Sequence, residues 1–233
     1  MKHICILIVF FLSSFCFAQL SRNDSRINDA FTDLTNRIKP TKNFENLKGS
    51  PYFDSEFKEA SLTYFGTPLK EKVFLRYNAV SDEMEMSLSS LTKETDQALI
   101  KNSKVFCEIE GKVYKYLPLN SGNSHLASMG YVKEIYKGKN YSLYLREQKI
   151  FREGKKARTS LERSFPPRFA RVSEWYFQKE EGQLQFLKPT KRSLKNYFKT
   201  DLVHLETFLK SKKGDFKKVN YMEQMIRYLD EIN

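Results

Sequence analysis

Asp82-Glu83-Met84-Glu85 gathers three carboxylates within four residues, the raw material of glycoside hydrolysis or of calcium binding. On a strand Glu83 and Glu85 would share a face about 7 Å apart, a spacing that neither chemistry requires. The run lacks the spaced Asp and Gly pattern of a calcium loop, so solvated hairpin carboxylates are the plainer reading. His125 ends the polar stretch Asn120-Ser121-Gly122-Asn123-Ser124-His125 and is placed to present a base. His204 falls among Leu202, Val203 and Leu205 at helical spacing and reads as structural. No nucleophile elbow, HExxH or paired CxxC accompanies them. Neither a metal nor a cofactor is therefore expected, and a hydrolase acting on glycan or peptide through Asp82, Glu83 or His125 is kept only as the alternative function.

Two other groups have chemical potential. Cys107 lies in Val105-Phe106-Cys107-Glu108-Ile109, where alternation puts it on one face with Val105 and Ile109, so it reads as a small buried hydrophobe. Trp175-Tyr176-Phe177 could stack on a sugar. On a strand, however, Trp175 and Phe177 share one face and Tyr176 takes the other, so at least one face belongs to a core.

The strongest chemical signal is positive charge. The chain carries +12 formally, and two segments hold the excess. Residues 146–171 have nine basic against three acidic residues, and residues 188–218 have ten against three; the rest of the chain after residue 18 is slightly acidic. Arg152, Lys155, Lys156, Arg158, Arg163, Arg168 and Arg171 sit on a connection long enough to be unusual inside a compact domain. Phe165, Phe169 and Pro166-Pro167 interrupt it. Guanidinium forks beside aromatics suit carboxylate, phosphate or sulfate oxygens, and the six from Lys155 to Arg171 form the candidate anion-binding set. A solvated loop serving solubility is the competing reading.

The elements that would position these residues follow from periodicity. Ile27, Ala30, Phe31, Leu34 and Ile38 recur at helical spacing behind Asp24, and Pro40 closes the pattern, which predicts one amphipathic helix. From about Tyr52 to Leu187 the period becomes two. Four hairpins are expected: Val73–Tyr77 with Met84–Leu88, Val105–Ile109 with Val113–Leu117 about Gly111, Tyr131–Tyr136 with Tyr141–Phe151 about Gly138-Lys139-Asn140, and Val172–Gln178 with Gln183–Leu187 about Gly182. Beyond Pro189, Leu194, Tyr197 and Phe198, then Leu202, Leu205, Phe208 and Leu209, then Met222, Met225, Ile226 and Leu229 predict three short helices. Asn220 with Glu223 resembles a capping box for the last. A hydrophobic content of 40% with 14% aromatics supports a packed core rather than a disordered chain.

The first 18 residues have the pattern of a secretory signal. Lys2 supplies the charge, Ile4 to Phe17 the apolar run, and Cys16 and Ala18 the small residues before a cut at Gln19. Lipidation of Cys16 is disfavoured by bulky Phe15 ahead of it. With Cys5 and Cys16 removed, Cys107 would have no partner for an intramolecular disulfide.

Gly49-Ser50-Pro51-Tyr52 with Phe57, then Leu75-Arg76-Tyr77-Asn78 with Asp82-Glu83-Met84-Glu85, resembles the opening of a group of exported proteins common in Bacteroidota that have no assigned activity. Lys155-Lys156-Ala157-Arg158-Thr159, Pro167-Arg168-Phe169, Trp175-Tyr176 and the Lys-rich end are also similar to that group, so the resemblance spans most of the chain. It implies export, and it implies that Arg76, Tyr77, Asn78, Asp82 and Glu83 form a shared element, with turn hydrogen bonds and an Arg–carboxylate pair fixing a hairpin.

The expectation is an α+β fold: an antiparallel sandwich or barrel-like sheet, one helix before it and a three-helix tail after it. Its parts are a signal at 1–18, a helix and linker at 19–48, a β domain at 49–188 and a helical tail at 189–233 docked on that domain. The expected function is a non-catalytic binding module of the periplasm or cell envelope, rather than the extracellular medium. Its partner would be an anionic polymer, an anionic membrane surface or an envelope protein. Nucleic acid is excluded by export.

Overall fold

The computed structural model describes residues 32–39, 47–120, 128–159 and 161–232. The expected signal peptide, the start of the first helix and His125 lie outside the described residues. The fold is a β-rich α+β arrangement in which five strands close a ring. These are β8 (Lys112–Asn120), β9 (Ser128–Lys137), β10 (Tyr141–Arg152), β11 (Arg168–Lys179) and β12 (Leu184–Leu187). They pair antiparallel in chain order, and β12 then closes on β8 through a parallel contact of Leu184 with Leu119. Each strand sends a side chain inward, so that Leu119, Val132, Tyr144, Tyr176 and Leu184 fill the interior. At Gly130 on β9 a Cβ would lie 2.7 Å from the guanidinium of Arg146, so a larger residue there would displace that side chain.

An open sheet continues from β8. Its remaining strands are β7 (Val105–Ile109), β2 (Lys58–Tyr64), β4 (Val73–Asn78), β5 (Glu83–Ser87), β6 (Gln97–Leu99) and β1 (Thr35–Arg37), with the short β3 (Thr67–Pro68) paired to β2. Glu110 and Gly111 both have positive φ in the two-residue turn joining β7 to β8, the conformation whose twist matches that of the flanking strands. One face carries Leu62, Leu75, Met84, Met86, Leu99 and Cys107 into a second core. The sheet curls far enough that Tyr77 of β4 meets Tyr114 of β8 and Tyr131 of β9.

Three helices cover the ring from outside: α1 (Lys191–Tyr197), α2 (Leu202–Ser211) and α3 (Val219–Ile232). Thr190 caps α1 through the Ser193 amide. Met222, Met225, Ile226 and Leu229 recur along one stripe of α3 and pack, with Leu194, Phe198 and Leu205, against Tyr141, Leu143, Trp175 and Phe177. Both faces of the Trp175 strand are therefore core, since Tyr176 fills the ring. Asp230 of α3 accepts hydrogen bonds from the backbone N–H groups of Lys139, Asn140 and Tyr141 and from the Tyr136 hydroxyl, which fastens the helix to the β9–β10 turn.

Three expectations change. Helix is present at 32–34, but Thr35–Arg37 forms a strand against β6 where the sequence predicts helix through Ile38. Thr35 and Asn36 are weak helix formers, and pairing with β6 satisfies backbone groups that a helix end would leave open. Asn220 lies inside α3 rather than capping it; the preceding turn is built by Asp215, whose side chain accepts from the Lys217 amide. Finally, β11 begins at Arg168, so Arg168 and Arg171 belong to a strand and not to a loop.

Candidate anion-binding site

β10 and β11 pair along their whole length, from Tyr141 with Lys179 to Arg152 with Arg168. Their other neighbours stop short: β9 accompanies β10 only as far as Leu145, and β12 accompanies β11 only from Trp175. Beyond Arg146 and Glu174 the two strands continue as a ribbon. The same register carries on to Lys155 and Phe165, which exchange two backbone hydrogen bonds of 2.8 Å. From Arg146 to Lys155 this makes an arm about 30 Å long. Its sides are held as far as Pro167: Lys149 N–H donates to the Ala79 carbonyl, Phe169 N–H to that of Lys48, and Lys48 N–H to that of Pro167. Gly154 is needed near the end, since a Cβ there would lie 2.9 Å from the Pro167 ring.

The arm gathers the predicted basic residues and spaces them unevenly. Lys149 faces Arg171 and Arg152 faces Arg168, two cross-strand pairs of like charge, an arrangement that destabilises a sheet. The inner pair is compensated. Lys149 donates to the carbonyls of Ser50 and Tyr52, Arg171 pairs with the buried carboxylate of Glu147, and both cations lie over the ring of Phe53. Burial, then the nearby Arg171, pushes the Lys149 ammonium below its ordinary pKa. Burial would raise Glu147, but Lys133 and Arg171 outweigh it and hold that carboxyl low.

Toward the tip compensation fades. Lys155 pairs with Glu162 at 3.5 Å, whereas Arg152, Lys156, Arg158, Arg163 and Arg168 have no ion pair among the described residues. All five are exposed, and Arg168 lies over the ring of Phe165. Of the six predicted residues, then, Lys156, Arg158, Arg163 and Arg168 remain uncompensated, while Lys155 and Arg171 are partly neutralised.

The predicted hairpin element divides into separate networks. Arg76 does pair with a carboxylate, but with Glu85 rather than Asp82 or Glu83, at 2.5 Å. Glu85 also accepts from the Tyr52 hydroxyl and the Asn78 amide, and Arg76 donates further to the carbonyls of Ser55 and Lys93. This buried cluster is fully occupied by itself. Asn78 also accepts from the amides of Val80 and Ser81, which builds the turn. Asp82 turns to the other side of the hairpin, where it accepts from the Tyr77 hydroxyl and pairs with Arg146 at 3.1 Å. Burial, reinforced by Asp82, pushes the Tyr77 phenol upward, so it remains a donor. Glu83 pairs with Lys101 at 2.6 Å.

A cleft of about 220 Å³ opens beside Phe53, Tyr77 and Tyr114. Its rim is self-neutralised: Lys58 pairs with Asp54 and Glu110, and Lys133 with Glu147. Among the described residues no group of His, Cys, Asp and Glu could hold a metal ion. His204 is half-buried on α2.

Sequence reading did not single out Lys149 or Phe53. Lys149 was detectable in principle, because extending the β10–β11 register places it opposite Arg171. Phe53 reaches the arm from a distant loop, and no local pattern announces it. No protein-family model, curated protein or solved structure matches the chain.

Proposed function

We propose that this chain is an exported, non-catalytic binding module of the cell envelope that takes an anionic partner on the β10–β11 arm. The observation that carries the reading is the run of five exposed cations that have no ion pair among the described residues, including the directly opposed Arg152 and Arg168. Like charges across a ribbon oppose folding, and an anion lodged between them would relieve the repulsion while making forked hydrogen bonds. Asp82 and Glu83, the acids on which a hydrolase would draw, are both engaged in ion pairs, and this favours the binding reading over the enzymatic one.

The test is binding of the chain lacking residues 1–18 to dextran sulfate. Affinity should fall steeply as salt passes about 0.15 M, where screening shortens the reach of exposed charges to about 8 Å. Lys156→Glu together with Arg158→Glu should reduce binding by about tenfold or more and leave the unfolding midpoint nearly unchanged. Unaltered binding in that variant would remove the arm from the function.

A further inference from the structure

Resting on that reading, we propose that the anionic partner is a lipid surface, and that the arm docks on it by its tip with Leu161 and Phe165 entering the interfacial layer. Leu161 is 95% exposed and Phe165 is 48% exposed, and both lie within the cationic end of the arm. Among the described residues of the tip, Ala157 N–H donates to the Ser164 hydroxyl, Arg158 N–H to the Glu162 carboxylate, and Glu162 N–H to the Thr159 carbonyl. These bonds shape the tip and leave the Leu161 side chain pointing away from any core.

A soluble polyanion rewards the cations but not an exposed leucine. A bilayer rewards both, because anionic headgroups meet the basic residues while the apolar side chains leave water at the acyl boundary. Lys156, Arg158 and Arg163 flank Leu161 in sequence, and Arg168 lies beside Phe165, which supplies the charge complementarity.

The experiment compares sedimentation with vesicles of about 30% phosphatidylglycerol in phosphatidylcholine, with vesicles of phosphatidylcholine alone, and binding to dextran sulfate. The expected result is that Leu161→Ser with Phe165→Ser lowers affinity for the anionic vesicles by about tenfold while leaving dextran sulfate binding within about twofold. A Leu161→Trp variant should shift its emission to the blue on those vesicles and be quenched by brominated acyl chains. Equal vesicle binding by the double Ser variant, or no emission shift in a Trp variant that still binds dextran sulfate, would overturn the lipid assignment alone. Absence of binding to every anionic probe by the unaltered protein would overturn both the assignment and the binding reading beneath it.

Discussion

Lys149 and Arg171 stand directly opposite each other across β10 and β11, and both cations rest over the single ring of Phe53, at 4.8 and 5.0 Å from its centre. The arrangement is tolerated because Glu147 and two backbone carbonyls share the charge. Three positions farther along β10, Arg152 faces Arg168 with no carboxylate or carbonyl partner for either guanidinium among the described residues.

That contrast predicts a trade between stability and binding. Arg152→Glu converts an opposed like-charge pair into an attractive one and should raise the unfolding midpoint by about 1–2 °C. The same variant should bind dextran sulfate more weakly. Thermal unfolding and a binding titration on one preparation check both signs.

The Arg76–Glu85 pair carries a larger effect. Its side chains are 5% and 4% exposed, so Glu85→Ala leaves a buried guanidinium with its principal partner gone. Removal of one member of such a pair costs about 3–5 kcal/mol. Denaturant unfolding should show the loss, with Glu85→Gln less damaged because an amide can still accept from Arg76.

Acid sensitivity should reach the helical layer through Asp230. Burial would raise this carboxyl, but the amides of Asn140, Tyr141 and Lys139 outweigh it and hold its pKa down in the folded protein. A depressed carboxyl contributes stability that is fully present above the unfolded value of about 3.9 and is lost as pH falls through the lower folded value. Midpoints measured from neutral pH downward should therefore fall less steeply at the acid end in Asp230→Asn, which starts from a lower plateau.

Cys107 should be inert in the native state. It is buried on the open sheet, and that burial alone pushes its thiol pKa upward. Labelling by a thiol reagent should be slow in buffer and immediate in denaturant. Fast native labelling would mean that β7 opens readily.

The legible parts of this fold were those written in local pattern. All four expected hairpins are present, because each joins alternating strands across a short turn such as Glu110-Gly111 or Gly138-Lys139-Asn140. A closed, barrel-like sheet was one of the two expected arrangements, but the strands that close it were not legible, since Leu119 and Leu184 meet through a parallel pairing that no turn signals. β1 and β6 have three residues each, too few to show a period, and tertiary pairing overrides the helical spacing around Leu34. The basic segment was visible as charge, but Pro166-Pro167 read as an interruption and concealed the strand register that runs through it. Glu85 was visible as a carboxylate; its selection over Asp82 by Arg76 depends on which face of the hairpin each side chain takes.

β8 belongs to two structures at once. Along one edge it serves β7 near its start and β12 near its end, while its other edge holds β9. Opening the ring thus removes a wall of the curled sheet, and peeling β7 away loosens the strand on which β12 closes. Neither half has a seam at which it could melt alone. Heat or denaturant should meet a single cooperative unit, and a cut placed between the two sheets would yield fragments that each lack a strand.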